Sequence, residues 1–396
     1  MKWLHLVLVL SVALALALLV SQTFAAVPAV ETLKIGALLP LSGGAAPWGV
    51  GTLRAGELMV GKINAEGGMR VGGKKYLIDL VKADTKSNFD VALAQVNRLI
   101  FDEKIKFIYG PILSGEALAV LPITEANKVM VFSISDTPKV LGFDKHYSFR
   151  LSPSFSERVP ALYMYLNKQR GDAKKVAFVG PNDETGWGNS KVAKDYAKEY
   201  GLDVVFEDFV QRGTNDFFPV LTKVMSKNPD VIIPLAFPPG ETTLLLQQAR
   251  QLGYKKIMIA PAYFDPNLLI AKAGPEAVEG FVFLAPDMTG PSSTPGMREL
   301  YKGYNEKYKE EYNPIAFPGY VFLWVLKMAI EKAGTLDTTA VAKTMENLEG
   351  EMPYGRFSMG GAKTYGAKRQ IVYPIFLSQF KNGKAEFIQS FTPPVP

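Results

Sequence analysis

Two polar side chains lie in predicted loops where they could hold a small molecule. Ser114 comes just after a buried apolar run, 106–110, and near a predicted helix start. A hydroxyl and free backbone N–H groups at such a place can hold a carboxylate, although a serine there can also simply cap the helix. Asp136 follows the apolar run 129–133 and precedes Pro138. It could accept a hydrogen bond from a ligand ammonium or hydroxyl, or it could be only a turn aspartate.

Two tryptophans stand in similar positions. Trp48 and Trp187 each precede a glycine after a predicted strand. An aromatic ring in an exposed loop of this kind often packs on a ligand, and packing in the protein core is the alternative.

Residues for catalysis or metal binding are scarce. The segment 68–75 resembles a phosphate-binding loop, but Lys75 stands where Ser or Thr would hold magnesium, and a strand follows instead of a helix. No GxGxxG, GxSxG, HExxH or EF-hand pattern occurs, there is no cysteine, and the two histidines are His5 and His146. His5 leaves with the predicted leader, and we expect His146 at the surface. We therefore predict no enzyme activity, no metal and no cofactor.

The N-terminus predicts export. Lys2 precedes an apolar run, 6–20, that would span only about 22 Å as a helix, whereas the bilayer core is about 30 Å thick. This suits a signal peptide, residues 1–25, cleaved near Ala25, with cleavage after Ala29 or an uncleaved anchor as alternatives. Because the chain has no cysteine, we expect no lipid anchor. The predicted location is the periplasm.

Elsewhere, strand and helix patterns alternate in two successive sets, which predicts two α/β domains with parallel sheets. Lysines and acidic residues are interspersed along the predicted helices, so the formal charge of +6 predicts no nucleic-acid partner. Ligands of open α/β sheets bind beyond the carboxyl ends of the strands. The loops expected to carry the site are 41–48, 110–115, 133–138, 180–188, 236–240 and 261–265.

Several short motifs follow one another in a specific order. They are Ile35-Gly36, Pro40-Leu41-Ser42-Gly43, Ile63-Asn64-Ala65-Glu66-Gly67-Gly68, Gly110-Pro111, Gln248-Ala249-Arg250 with Leu252-Gly253, and Glu279-Gly280. With them, nearly the whole mature chain resembles the branched-chain amino-acid (leucine/isoleucine/valine) binding proteins, the type I periplasmic solute-binding components of ABC transporters. The resemblance implies the α/β type I periplasmic-binding-protein fold, with two Rossmann-like lobes joined by a three-crossing hinge. Lobe one would comprise residues 31–150 plus 284–356, and lobe two residues 151–283 plus 357–396.

The resemblance also implies a ligand site between the lobes. Its expected members are Trp48, Ser114, Ile134, Asp136, Trp187, Phe237 and Tyr263. Ser114 would hold the ligand carboxylate, and Ile134 and Asp136 would bind its head group. Relatives that bind amino acids place a glutamate for the ligand ammonium where this chain has Ala262.

The expected function is therefore capture of an amino acid, branched-chain or otherwise apolar, and its delivery to the membrane subunits of an ABC permease. We expect a monomer. Because Ala262 replaces the glutamate, Asp136 either supplies the missing charge or binds a ligand hydroxyl. A receptor for a non-amino aromatic or hydroxy carboxylate is thus one alternative. A ligand-sensing subunit of a signalling system is another.

Overall fold

The structure is a computed structural model that describes residues 30–310 and 312–393 of the 396-residue chain. The predicted signal peptide and its cleavage site lie outside the described residues.

The described residues form sixteen strands and thirteen α-helices. The strands are β1 (Val30–Leu39), β2 (Met69–Val71), β3 (Lys74–Asp84), β4 (Phe107–Tyr109), β5 (Met130–Ser133), β6 (Ser148–Arg150), β7 (Lys175–Pro181), β8 (Asp203–Val210), β9 (Val231–Pro234), β10 (Ile257–Tyr263), β11 (Val282–Leu284), β12 (Glu349–Met352), β13 (Gly355–Gly360), β14 (Gln370–Val372), β15 (Ile375–Lys381) and β16 (Lys384–Phe391). The helices are α1 (Ala46–Ala65), α2 (Phe89–Asn97), α3 (Ser114–Ala126), α4 (Phe155–Gln169), α5 (Glu184–Glu199), α6 (Phe218–Ser226), α7 (Pro239–Gln251), α8 (Pro266–Ala273), α9 (Pro275–Val278), α10 (Pro295–Tyr308), α11 (Phe317–Ala333), α12 (Thr338–Met345) and α13 (Ala362–Tyr365).

The strands build two sheets, one in each lobe. The first has nine strands in the order β12-β13-β14-β6-β5-β4-β1-β3-β2, and the second has seven in the order β16-β15-β11-β10-β9-β7-β8. The central strands of both sheets run parallel, as in the ten-residue pairing of β1 with β3. Antiparallel hairpins close the edges, for example β15 with β16. This confirms the predicted α/β fold with two mostly parallel sheets.

Helix α11 anchors the core of lobe one. Its sequence is apolar on nearly every face, and eleven of its residues are buried. A Cβ on Gly319 would lie 1.9 Å from the carbonyl oxygen of Thr52, so only glycine lets α11 pack this closely on α1. The segment Pro314–Ala333 has the length and composition of a membrane span, but 72% of its most apolar window is buried inside the protein. It is a core helix of the lobe.

The third crossing between the lobes differs from the expected position near Phe357. Strands β13 and β14 pair in the first sheet, so residues 357–372 belong to lobe one and not to lobe two. Phe357 and Ile371 are both fully buried in the core of that lobe, which explains their place there. The chain crosses at Tyr373-Pro374, between β14 and β15. Proline removes a ladder donor, so it marks the point at which the chain leaves one sheet for the next.

Candidate functional site

A cavity of about 90 Å³ lies between the two lobes. All six predicted loops contribute to its wall, because the carboxyl ends of the central strands in both sheets face the same cleft. The wall is mostly apolar. Among the residues that line it, the charged ones are Asp136 from lobe one and Arg158 from lobe two.

Direct contacts join the lobes around this cavity. The backbone N–H of Ser114 donates to Oγ1 of Thr185 at 3.1 Å. Lys139 pairs with Glu184 at 2.8 Å, with both side chains partly exposed. The guanidinium carbon of Arg212 lies 5.9 Å from the ring centroid of Trp48. These contacts hold the two lobes against each other around the cavity.

Asp136 is bound on both of its oxygens. Arg158 donates from Nη2 to Oδ1, and Asn189 donates from Nδ2 to Oδ2 at 3.0 Å. The Arg158 side chain is 11% exposed and that of Asp136 is 14% exposed, so water screens the pair little. Asp136 therefore lines the cavity, and the partner that the structure gives it is a protein cation from the opposite lobe.

The first turn of α4 carries Arg158 and Phe155 into the cavity. Ser154 and Glu157 form a reciprocal capping box that fixes where this helix begins. Arg158 Nε is buried and has no hydrogen-bond partner among the described residues. Its guanidinium carbon lies 5.8 Å from the Phe155 ring centroid. The sequence signals the capping box, but no motif singles out Arg158 as a site residue.

Trp48 and Ile134 both line the cavity. A Cβ on Gly49 would lie 1.9 Å from the carbonyl oxygen of Pro40, so glycine alone allows α1 to begin directly beyond β1. That close approach places Trp48 at the cleft. The loop of Ile134 is held by the hydroxyl of Ser133, which accepts from the backbone N–H of Ser135 at 3.0 Å.

Tyr263 ends β10 and lines the cavity beside Ala262, so no carboxylate stands at position 262. The Tyr263 hydroxyl is buried and has no hydrogen-bond partner among the described residues. Burial raises the pKa of this hydroxyl, and the positive charge of Arg158 opposes that rise. The charge of Arg158 therefore acts on the Tyr263 hydroxyl.

Trp187 does not line the cavity. Its side chain is 49% exposed, and its Nε1 donates to Asn182 Oδ1 at 3.0 Å. The same helix instead presents Thr185 and Asn189. The reason is Gly186, whose Cβ would lie 1.9 Å from a strand carbonyl, just as at Gly49. The residue equivalent to Trp48 is thus the one before Gly186, namely Thr185.

Phe237 also lies outside the cavity. It is 1% exposed in the core of lobe two and packs edge-on against Phe217 with ring centroids 5.4 Å apart. Its neighbour Ala236 lines the cavity, with a φ of 52° that turns the chain there. This turn directs the phenyl ring of Phe237 into the core.

Ser114 begins α3 one residue after Leu113, which lines the cavity. Its hydroxyl is buried and has no hydrogen-bond partner among the described residues, and its backbone N–H is bound to Thr185. Ser114 therefore lies behind the cavity wall. The predicted carboxylate contact stays a prediction.

A second charged cluster lies beside the cleft. Glu116 is 2% exposed, and burial raises the pKa of its carboxyl to about 7, although Thr85 Oγ1 donates to it at 2.7 Å. Arg212 donates to Asp183 at 2.7 Å and lowers the pKa of Glu116 slightly against that trend. Burial also raises the pKa of Glu241, which accepts from the backbone N–H of Gly213. These carboxyls retain protons to a higher pH than surface carboxyls do.

Within residues 30–310 and 312–393, no group of three or more His, Cys, Asp or Glu side chains could hold a metal ion. The residues that the sequence did not single out include Arg158, Thr185 and Asn189. Of these, Thr185 could have been found from the close-approach glycine that follows it. Asn189 lies one turn further along the same helix face, whereas Arg158 has no such signal in the sequence.

The chain is similar to known proteins over almost all of the described length. A family described as periplasmic binding protein matches residues 32–385. A Leu/Ile/Val-binding protein homolog 7 from Brucella abortus (strain 2308) is 28% identical over 379 residues, which cover 88% of this chain and 93% of that protein.

Solved structures show the same fold. A leucine binding protein from Thermotoga maritima superposes with a TM-score of 0.78 at 27% identity, covering 91% of this chain and 99% of its own. A solute binding protein of an ABC transporter from R. palustris, in complex with benzoate, gives a TM-score of 0.78 at 20% identity and covers 92% and 97%.

Proposed function

Because the chain belongs to the periplasmic binding protein family, we propose that it is the solute-binding component of an ABC transporter. It captures a small, largely apolar carboxylate between its lobes and presents the closed complex to the membrane subunits. It acts by binding alone, as a monomer, after export and removal of its signal peptide. The observation that carries this proposal is the cavity itself, whose apolar wall is built by both lobes and holds one charged group from each.

Two classes of ligand agree with this cavity. An apolar amino acid is favoured by the relatives named for leucine, isoleucine and valine. A non-amino carboxylate is favoured by Ala262, which provides no acidic side chain at its place in the cavity wall, and by the structural neighbour that holds benzoate. In both classes Trp48, Phe155 and Tyr263 supply apolar contact, which contributes roughly 25 cal/mol for each Å² buried.

A thermal-shift screen of the mature protein tests the function. The compounds are apolar amino acids and aromatic or branched carboxylic acids. A ligand at 100 times its Kd stabilises the folded state by about 2.7 kcal/mol, so its melting transition rises by several degrees. If no compound of either class shifts the transition, small-carboxylate capture is wrong. Turnover of a bound compound, followed by mass spectrometry, would contradict binding without chemistry.

Export is tested separately. Full-length protein expressed in a Gram-negative host should be recovered from the periplasmic fraction, with an N-terminus near residue 26. Retention in the cytoplasm, or an intact N-terminus on membrane-bound protein, would contradict the export step.

A further inference from the structure

The charges that line the cavity restrict which ligand it can take. Asp136 and Arg158 are the charged residues among those that line it, and they are bound to each other. Their formal charges cancel. The cavity therefore has no surplus negative charge with which to stabilise a ligand ammonium.

Asp136 is poorly placed to serve as an ammonium partner. One of its oxygens accepts from Arg158 and the other from Asn189. A ligand ammonium at this carboxylate would lie beside the Arg158 guanidinium, and like charges at such short range disfavour each other. Ala262 provides no second acidic group. An amino acid would thus bring a buried cation without a free counter-charge, which is costly.

Two donors on residues of the cavity wall have no partner within the described part of the protein. Arg158 Nε and the Tyr263 hydroxyl are both buried without a hydrogen-bond partner among the described residues. Buried N–H and O–H groups are usually satisfied in proteins, so a ligand acceptor that these side chains reach by a small shift would complete their hydrogen bonding. Both side chains line the cavity, and the charge of Arg158 acts on Tyr263. A carboxylate can accept from both donors, because each of its oxygens has two lone-pair sites.

We infer, resting on the function proposed above, that the ligand is an apolar carboxylic acid without an ammonium group, such as an aromatic or branched 2-oxo or hydroxy acid. Its carboxylate accepts from Arg158 and Tyr263 in lobe two. Its apolar part lies between Trp48, Phe155 and Ile134. Arg158 therefore determines the selectivity for acids without an ammonium group. It binds the ligand anion, and it is also paired with Asp136, which could otherwise have bound an ammonium.

Matched ligand pairs test the charge requirement. Isothermal titration calorimetry compares L-leucine with 4-methyl-2-oxopentanoate and L-phenylalanine with phenylpyruvate, because each pair differs only at the amino-bearing carbon. Benzoate and benzamide form a third pair that differs in the anion. We expect each oxo acid to bind at least tenfold more tightly than its amino acid, and benzoate to bind more tightly than benzamide. Equal or tighter binding of the amino acids overturns the inference.

Substitutions of Arg158 and Asp136 should affect the affinity for the acids differently. Arg158→Gln should weaken binding of the acids by about 10- to 100-fold, the range for hydrogen bonds to a charged group. Asp136→Asn should retain or raise acid affinity, because it removes a negative charge beside the anion. If Asp136 were instead the ammonium partner, Asp136→Asn would abolish amino-acid binding and leave the inference wrong.

A third variant separates ligand binding from lobe closure. Lys139→Gln removes the interlobe ion pair with Glu184, which lies outside the cavity lining. We expect it to leave acid affinity unchanged. Circular dichroism melts check that all three variants fold. If Lys139→Gln weakens binding as much as Arg158→Gln, the role of Arg158 is closure and the anion contact is wrong.

The calorimetry distinguishes failure of solute capture from failure of the inferred ligand charge. If the wild-type protein binds an amino acid but not its oxo acid, solute capture stands and only the ligand charge is wrong. If it binds neither class, the proposed function fails, and the inference fails with it.

Discussion

Replacing Glu116 with glutamine should remove a pH dependence of folding. Glu116 lies in the first turn of α3 and is 2% exposed, with Thr85 donating to one of its oxygens. Its other oxygen, Oε2, is buried and has no hydrogen-bond partner among the described residues. Burial raises the pKa of this carboxyl from 4.5 to about 7. The folded protein therefore holds a proton on Glu116 at a pH where the unfolded chain has lost it.

The difference between the folded and unfolded pKa of Glu116 sets the sign and the size of the change in stability with pH. Ionisation in the folded state is unfavourable, so stability is highest below pH 4.5 as far as this group is concerned, and it falls as the pH rises towards 7. A pKa rise from 4.5 to about 7 corresponds to about 3 kcal/mol in total, at roughly 1.4 kcal/mol per pH unit. Of this, about 2 kcal/mol should be lost between pH 5 and pH 8.

Urea unfolding of the mature protein between pH 5 and pH 8 measures this loss. Glu116→Gln, which stays neutral, should lose about 2 kcal/mol less than the wild type over that interval. Glu199→Gln is the control, because Glu199 is an exposed glutamate at the end of α5. It should lose as much as the wild type. If Glu116→Gln has the same pH slope as the wild type, Glu116 is ionised in the folded protein and our account of its burial is wrong.

Two further pairs of substitutions test the close approach at Gly186 and the ligand contact of Trp48. Gly186→Ala should destabilise the protein by about 1–3 kcal/mol in urea unfolding, since the alanine Cβ would lie 1.9 Å from the backbone oxygen of Pro181. Gly188→Ala, with nothing within 4 Å of its Cβ, should not, and equal effects would contradict the close approach. Trp48→Ala should weaken ligand binding about tenfold or more in calorimetry through lost apolar burial. Trp187→Ala should leave the affinity unchanged, and a comparable loss would place that exposed ring in the site after all.

The sequence predicts the fold well because each strand is indicated by neighbouring residues. Apolar runs that end in turn residues become the parallel strands, and all six predicted loops meet at the cavity. The third crossing was expected near Phe357 from the resemblance, whereas the structure has it between β14 and β15, two neighbouring strands that belong to different sheets. Only Pro374 marks this crossing, and a proline does not tell which strands will pair on either side of it.

Only part of the cavity lining could be predicted from the sequence. Trp48, Ile134, Asp136 and Tyr263 line the cavity, whereas Trp187 and Phe237 do not. For Trp187, two glycines lie close together in the sequence, and only the backbone shows which one packs against its strand. The partner of Asp136 was missed because the pair forms across the interlobe contact, between segments with no common motif.

The most direct test of the central claim is a crystal structure with the acid that binds most tightly in calorimetry. We predict a ligand carboxylate within about 3 Å of the Arg158 guanidinium, with the apolar part against Trp48 between closed lobes. A ligand whose carboxylate contacts Ser114 while an ammonium occupies Asp136, displacing Arg158, would contradict the account, as would a ligand bound outside the interlobe cavity.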